Sequence, residues 1–288
     1  MPQIVRDAQM KADPPKKVLL WGKPKEAGKS TLAMHAPTPI IGMQFDLGMP
    51  TIPPGVENPD GFIKVYDPPI VDMDPATSAW SRPVTVATDM MKDAKDMRNG
   101  IMSGKKEFEF SGEKIPRPKT IIVDGMVELA AHALDWWLAV NEKSDPEDLK
   151  NRYAAWGGRL KVLRTFYSVM LALPVNVVFI TWEHEETKEA ANGQIVGTGV
   201  YTPNLGGQLD IQGPGKVDCS VHCFHELITK QNSDGQSSLT HAWRARIKPN
   251  PQYPSVGIRN RYDAVGVVDV TLNPEKPYNP WEKLWGKG

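Results

Sequence analysis

Apolar residues in this chain fall into two patterns. Short unbroken runs end the segments Val18 to Trp21, Ile40 to Phe45, Thr120 to Val123 and Val175 to Thr181, each the length of a buried strand. Between them lie segments of helical spacing. Val86, Met90, Ala94, Met97 and Ile101 recur at steps of three and four with charges between them, which predicts an amphipathic helix. Met126, Ala130, Ala133 and Trp137 predict a second, and Tyr153, Trp156, Leu160, Leu163, Tyr167 and Met170 a third, stopped by Pro174. Gly157-Gly158 interrupts the third at a cost of about 1 kcal/mol each relative to alanine, so close packing is expected there.

Strands that are apolar throughout and separated by helices imply a parallel sheet covered on both faces. Beyond Gly193 the character changes. Strand-like runs at 194–201, 217–224, 239–248 and 264–271 alternate with turns rich in Gly, Pro and Asn, as expected of partly antiparallel strands extending the same sheet. The fold class is therefore α/β, a mostly parallel sheet with helices on both faces and antiparallel strands added toward the C-terminus. One domain is expected over residues 17–271, with a flexible segment at 1–16 and a tail at 272–288. A proline-rich excursion spans 49–119, containing strand character only at 61–66 and a charged connection or hairpin at 104–119. The tail carries Trp281 and Trp285, which read either as a strap over the domain or as a docking peptide.

Composition narrows the function. Thirty-four basic and thirty-four acidic side chains cancel, so no global field draws the chain to nucleic acid or to an anionic membrane, and such a partner requires a local patch. Two cysteines, Cys219 and Cys223, make no disulfide framework and suit a reducing cytosol. The polar first residues lack the apolar core of a signal peptide, and no apolar run approaches the ~20 residues that cross a bilayer. A cytoplasmic protein without a membrane partner is expected.

The chemistry concentrates after the first strand, in Gly22-Lys23-Pro24-Lys25-Glu26-Ala27-Gly28-Lys29-Ser30-Thr31. Strand, polar loop, Gly-Lys-Ser-Thr and a short helix form the order of a phosphate-binding P-loop, the Walker A motif. Gly28 admits backbone N–H groups to the phosphates, Lys29 reaches the β- and γ-phosphates, and the Ser30 hydroxyl serves as a Mg²⁺ ligand. The loop holds five residues between Gly22 and Gly28 where the usual spacing has four. Asp124 closes the 120–123 strand. Such a carboxylate is often only a helix cap, but roughly 100 residues after a P-loop it reads as the Walker B aspartate beside the metal.

Four further candidates follow. Asp46, at the end of the second strand, is the candidate for orienting the attacking water, against a plain turn aspartate before Gly48. Thr181 or His184, at the tip of the 175–181 strand, is placed to sense a γ-phosphate, against a solvated acidic turn. Arg244, Arg246, Lys248, Arg259 and Arg261 lie in a span free of Asp and Glu and read as an arginine supplied to a neighbouring subunit, a DNA-phosphate surface, or an exposed basic strand. Cys219, His222, Cys223 and His225 have the composition of a zinc site, but strand alternation puts the cysteines on one side with Val217 and Val221 and turns His222 away, so core cysteines are expected.

With the P-loop, Gln44-Phe45-Asp46-Leu47-Gly48, Ile121 to Asp124, Val177 to Glu183, Pro203-Asn204-Leu205-Gly206-Gly207 and Arg259-Asn260-Arg261, the chain resembles the RecA-type "AAA domain" ATPases of bacteriophages over roughly residues 17–265. The resemblance implies a RecA-like P-loop NTPase core that binds ATP and Mg²⁺ and works in recombination or replication. It also implies single-stranded DNA and a single-strand-binding protein as partners, and a homo-oligomeric ring or filament in which Arg259 or Arg261 acts on a neighbour's nucleotide. The chain departs from that pattern in its longer loop, in Asp46 where the recombinases carry glutamate, and in Trp182 where many relatives place histidine. The competing readings are a nucleotide-binding annealing or assembly scaffold with little hydrolysis and a small-molecule phosphotransferase.

Overall fold

The computed structural model describes residues 15–25, 27–45, 63–66, 107–110, 113–143, 145–151, 153–231, 236–258, 266–271 and 279–285. Strand β1 (Lys17–Gly22) lies at the centre of a ten-stranded sheet and is buried along its whole length. On one side it pairs in parallel with β7 (Asn176–Glu189), which pairs with β6 (Thr120–Asp124), then β2 (Ile40–Gln44) and β3 (Ile63–Tyr66), all parallel. On its other side β1 pairs in parallel with β9 (Cys219–Gln231). Antiparallel strands complete this flank: β10 (Ser237–Arg246) on β9, β12 (Val267–Asp269) on β10, and β11 (Gly257–Ile258) also on β9. The expected α/β architecture, parallel at its core and antiparallel toward the C-terminus, is the one observed.

Burial on both faces explains the unbroken apolar runs. Leu19, Trp21, Val123, Val177 and Phe179 pack on one face against α2 (Met126–Val140) and α3 (Tyr153–Ala172), through Leu129, Ala133, Leu163, Tyr167 and Met170. On the other face Val18, Leu20, Ile122, Val178 and Ile180 meet Leu32 and Ala33 of α1 (Lys29–Ala33) and Trp281 and Leu284 of α4 (Pro280–Trp285). Asn279 ties this last helix down by donating to the His35 carbonyl at 3.1 Å. Pro37 and Pro39 hold α1 to little more than a turn.

The charged 104–119 stretch contains the two-stranded hairpin β4 (Glu107–Phe110) and β5 (Glu113–Pro116), separate from the main sheet. The helix expected over 86–101 lies outside the described residues. The strand expected to end at Thr181 instead continues to Glu189 and returns as β8 (Ile195–Pro203), so a second hairpin stands beside that of β9 and β10. No described helix is long and apolar enough to cross a membrane.

The two adjacent glycines of α3 prove unlike. A side chain at Gly158 would run into the Trp137 indole of α2, whereas nothing lies within 4 Å of one at Gly157. Gly158→Ala is therefore expected to cost about 1–3 kcal/mol by overpacking, and Gly157→Ala to gain up to about 1 kcal/mol from helix propensity, as read from urea unfolding.

At the opposite end of β1, the Lys17 ammonium is buried and donates to the carbonyls of Leu173 at 2.6 Å and Val175 at 2.5 Å. Burial lowers its pKa from 10.5 to about 8, with Asp218 opposing the shift. Between these values the unfolded chain binds the extra proton, so stability rises with pH. The unfolding free energy of the natural chain relative to Lys17→Met should increase from pH 8 to pH 10, and a flat difference would contradict the assignment.

Candidate functional site

Parallel strands bring the C-terminal ends of β1 and β6 and the middles of β7 and β9 to one rim, where ligands of open α/β sheets bind. The P-loop leaves β1 at Gly22, whose φ of 154° is open to glycine and where a Cβ would collide with the Cys223 carbonyl of β9. The long loop turns through Pro24 and Lys25, the latter left-handed at φ 58°. It re-enters helix at Gly28, φ 71°, where a Cβ would stand 2.8 Å from Cδ1 of Trp243 on β10. Both glycines are thus required by conformation and by the flank formed by β9 and β10. Glu26 lies outside the described residues.

Lys29 is 7 % exposed and folds its side chain back into the loop, donating to the Lys23 carbonyl at 2.6 Å and reaching that of Gly22 at 3.4 Å. Ser30 turns toward the sheet, and its hydroxyl donates to the Asp124 carboxylate at 2.6 Å. That contact spans the rim, because β7 lies between β1 and β6. Hydroxyl and carboxylate are hard oxygen donors of the kind that suits Mg²⁺ with a bound phosphate. The structure therefore brings Lys29, Ser30 and Asp124 to one place.

The remaining candidates fare differently. Asp46, Arg259 and Arg261 lie outside the described residues. Phe45, just before Asp46, donates its amide to the Asp124 carbonyl at 2.8 Å. Thr181 is buried and donates its hydroxyl to the Asn204 carbonyl, and His184 faces Thr202 across the second hairpin at 3.4 Å. Arg244 is paired with Glu226 and Asp269, each at 2.8 Å, so it belongs to the sheet's outer surface rather than to a phosphate site. Arg246 lies over the rings of Tyr253 at 4.7 Å and Phe224 at 5.1 Å. Cys219 and Cys223 are buried with Val221 beneath α1, and burial pushes the Cys223 thiol up to about 12. Val217 instead joins the opposite core, because it precedes the strand and escapes its alternation.

A pair that sequence reasoning did not assign to the rim stands where β1 becomes loop. Glu183 of β7 accepts from His222 Nε2 of β9 at 2.7 Å, with side chains 7 % and 3 % exposed. The carboxylate can only accept, so Nε2 carries the proton and Nδ1 is the bare nitrogen. Trp21, Phe224 and Tyr253 enclose the imidazole at ring distances of 4.8, 5.5 and 4.1 Å. Burial lowers the His222 pKa, Glu183 opposes, and Arg246 and Lys29 add to the lowering. The sequence signal was parity: His222 shares the sheet face of its β1 partner Trp21.

A β-strand and glycine loop closing on a lysine, with a serine held to an aspartate at the end of the next strand but one, define a P-loop NTPase. The chain belongs to the AAA domain family, whose model matches residues 14–247. That family is one of nucleotide-binding proteins, generally ATPases. No curated protein matches the chain.

In a histidine-selective NMR titration, His222 is expected to protonate below its ordinary value of 6.5, and Glu183→Gln, which removes the group opposing the shift, to lower the midpoint further. A midpoint above 6.5 in the natural chain would contradict this environment.

Proposed function

We propose that the protein hydrolyses ATP in the service of DNA recombination or replication, acting on single-stranded DNA as a RecA-like oligomer encoded by a bacteriophage. The observation that carries the hydrolytic part is the 2.6 Å contact between Ser30 and Asp124, with Lys29 folded into the loop beside it. These groups fit a triphosphate and its metal. Ser30 and Asp124 are the side chains that would hold a Mg²⁺ ion, which when bound would neutralise charge on the terminal phosphates. Lys29 exchanges the loop carbonyls for phosphate oxygens, placing its charge where negative charge develops. Asp46 is assigned the orienting of water.

The DNA-directed part rests on the resemblance to phage recombination ATPases, and two hairpins run outward from the rim. Their distal strands expose Ile195, Leu227 and Leu239 and carry Lys188 and Lys230. Those lysines stand among Glu185, Glu186, Glu189 and Glu226, so the hairpins offer apolar contact rather than the basic patch that a chain with no net charge requires, and the resemblance carries the DNA-directed part. A single-strand-binding protein is a further proposed partner, and Arg259 and Arg261 are proposed to complete a neighbour's site in a ring or filament.

The longer loop, with Lys25 held left-handed, favours a second reading: a scaffold that binds ATP and hydrolyses it poorly. Turnover separates the two. Single-stranded DNA should stimulate ATP hydrolysis, and Lys29→Ala or Asp124→Asn should lower it by about 10²-fold or more, the scale of a lost charge-stabilising contact. No hydrolysis with or without DNA, in a sample that binds ATP, leaves only the scaffold. Survival of turnover in Asp46→Ala removes that residue from the mechanism.

A further inference from the structure

The flank of the P-loop opposite Asp124 carries a row of aromatic rings. Trp243, on β10, presses its indole edge against Gly28. Its strand partner His225 lies at a ring distance of 6.3 Å, and His241 at 6.0 Å. His225 and His241 stack on each other at 5.1 Å. Alternation puts all three on the face that carries α1, since Trp243 shares parity with Ala245 and His225 with Cys223, both buried on that side. His241 is exposed, and His225 and Trp243 are half-buried.

A nucleoside triphosphate has two ends, and the sheet order separates them. On the P-loop reading Ser30 and Asp124 would hold the metal-bearing terminal phosphates on the β6 side of β1, two strands away. The nucleoside would then leave the cradle toward the other flank, where β10 stands two strands from β1 in the opposite direction and places Trp243 at the loop's last glycine. The closely spaced rings leave no slot between them, so a base lies across their outer surface.

We propose that Trp243, with His241 and His225, forms the platform on which the purine base of the bound triphosphate stacks. This rests on the P-loop reading and extends it to the base. The rings engage the base by its π-face, and the sheet fixes the indole against Gly28 so that base and phosphates engage together. Trp243 is accordingly a binding residue, distinct in effect from Lys29.

Comparing Mg·ATP with Mg·tripolyphosphate, by calorimetry on the full chain, isolates the base. The natural chain should bind ATP more tightly than tripolyphosphate. Trp243→Ala should cut the preference for ATP over tripolyphosphate roughly tenfold, the scale of one stacked base, beyond whatever loss of the Gly28 contact costs both ligands alike. Trp243→Phe should restore most of the loss, and His241→Ala, at an exposed position, should give a smaller loss confined to ATP. Tryptophan fluorescence should respond to ATP and not to tripolyphosphate. Equal weakening of both ligands in Trp243→Ala, the mark of an indole that only supports the loop through Gly28, or weakening of neither, would overturn the platform. If the natural chain binds neither ligand, the P-loop reading itself fails.

Discussion

Everything at the rim depends on one hydrogen bond between groups far apart in sequence, from the Ser30 hydroxyl to the Asp124 carboxylate. It forms only if β1 and β6 run parallel with a single strand between them and in a register that ends them within two residues of each other, with Asp124 on the face that carries α1. The sheet meets that condition: Gly22 is level with Trp182 of β7, and Ile180 of the same strand with Asp124. A shift of one residue in either pairing would turn the aspartate to the opposite face. The buried runs that set the register are thus part of the site, because their packing on both faces leaves the strands no alternative alignment.

The second flank is held by equally specific contacts. β9 passes its Cys223 carbonyl beneath Gly22, and β10 sets Trp243 against Gly28, so both hinges of the P-loop rest on the hairpin. The same hairpin carries His222, bound to Glu183 across β1. Loop, β7 tip and hairpin therefore form one packed unit.

Much of this was legible from sequence because it is local. A strand closing on Gly-Lys-Ser, a strand ending in aspartate and helices marked by three- and four-residue steps each declare themselves within a short window. Gly158 was legible for a related reason: a glycine costly to a helix implies a close neighbour, which Trp137 supplies. The outward half of β7 was not legible, since beyond Thr181 it is partly exposed and its apolar signal ends where the core ends. Nor did sequence reveal that Thr181 is held by Asn204, or that Glu183 meets His222 and Trp243 meets Gly28. Those contacts arise from strand order, which no short window encodes. Charge spacing likewise grouped Arg244 with the other basic residues, whereas its pairing with Glu226 and Asp269 follows from antiparallel neighbours.

The central claim is that Ser30 and Asp124 together hold the metal of a bound triphosphate. Replacing Mg²⁺ by Mn²⁺ and following the ion by electron paramagnetic resonance tests it directly. The account predicts one tightly held ion per chain when ATP is present, with that ion weakened in both Ser30→Ala and Asp124→Asn while the nucleotide remains bound. Tight Mn²⁺ unaffected by either substitution would contradict it.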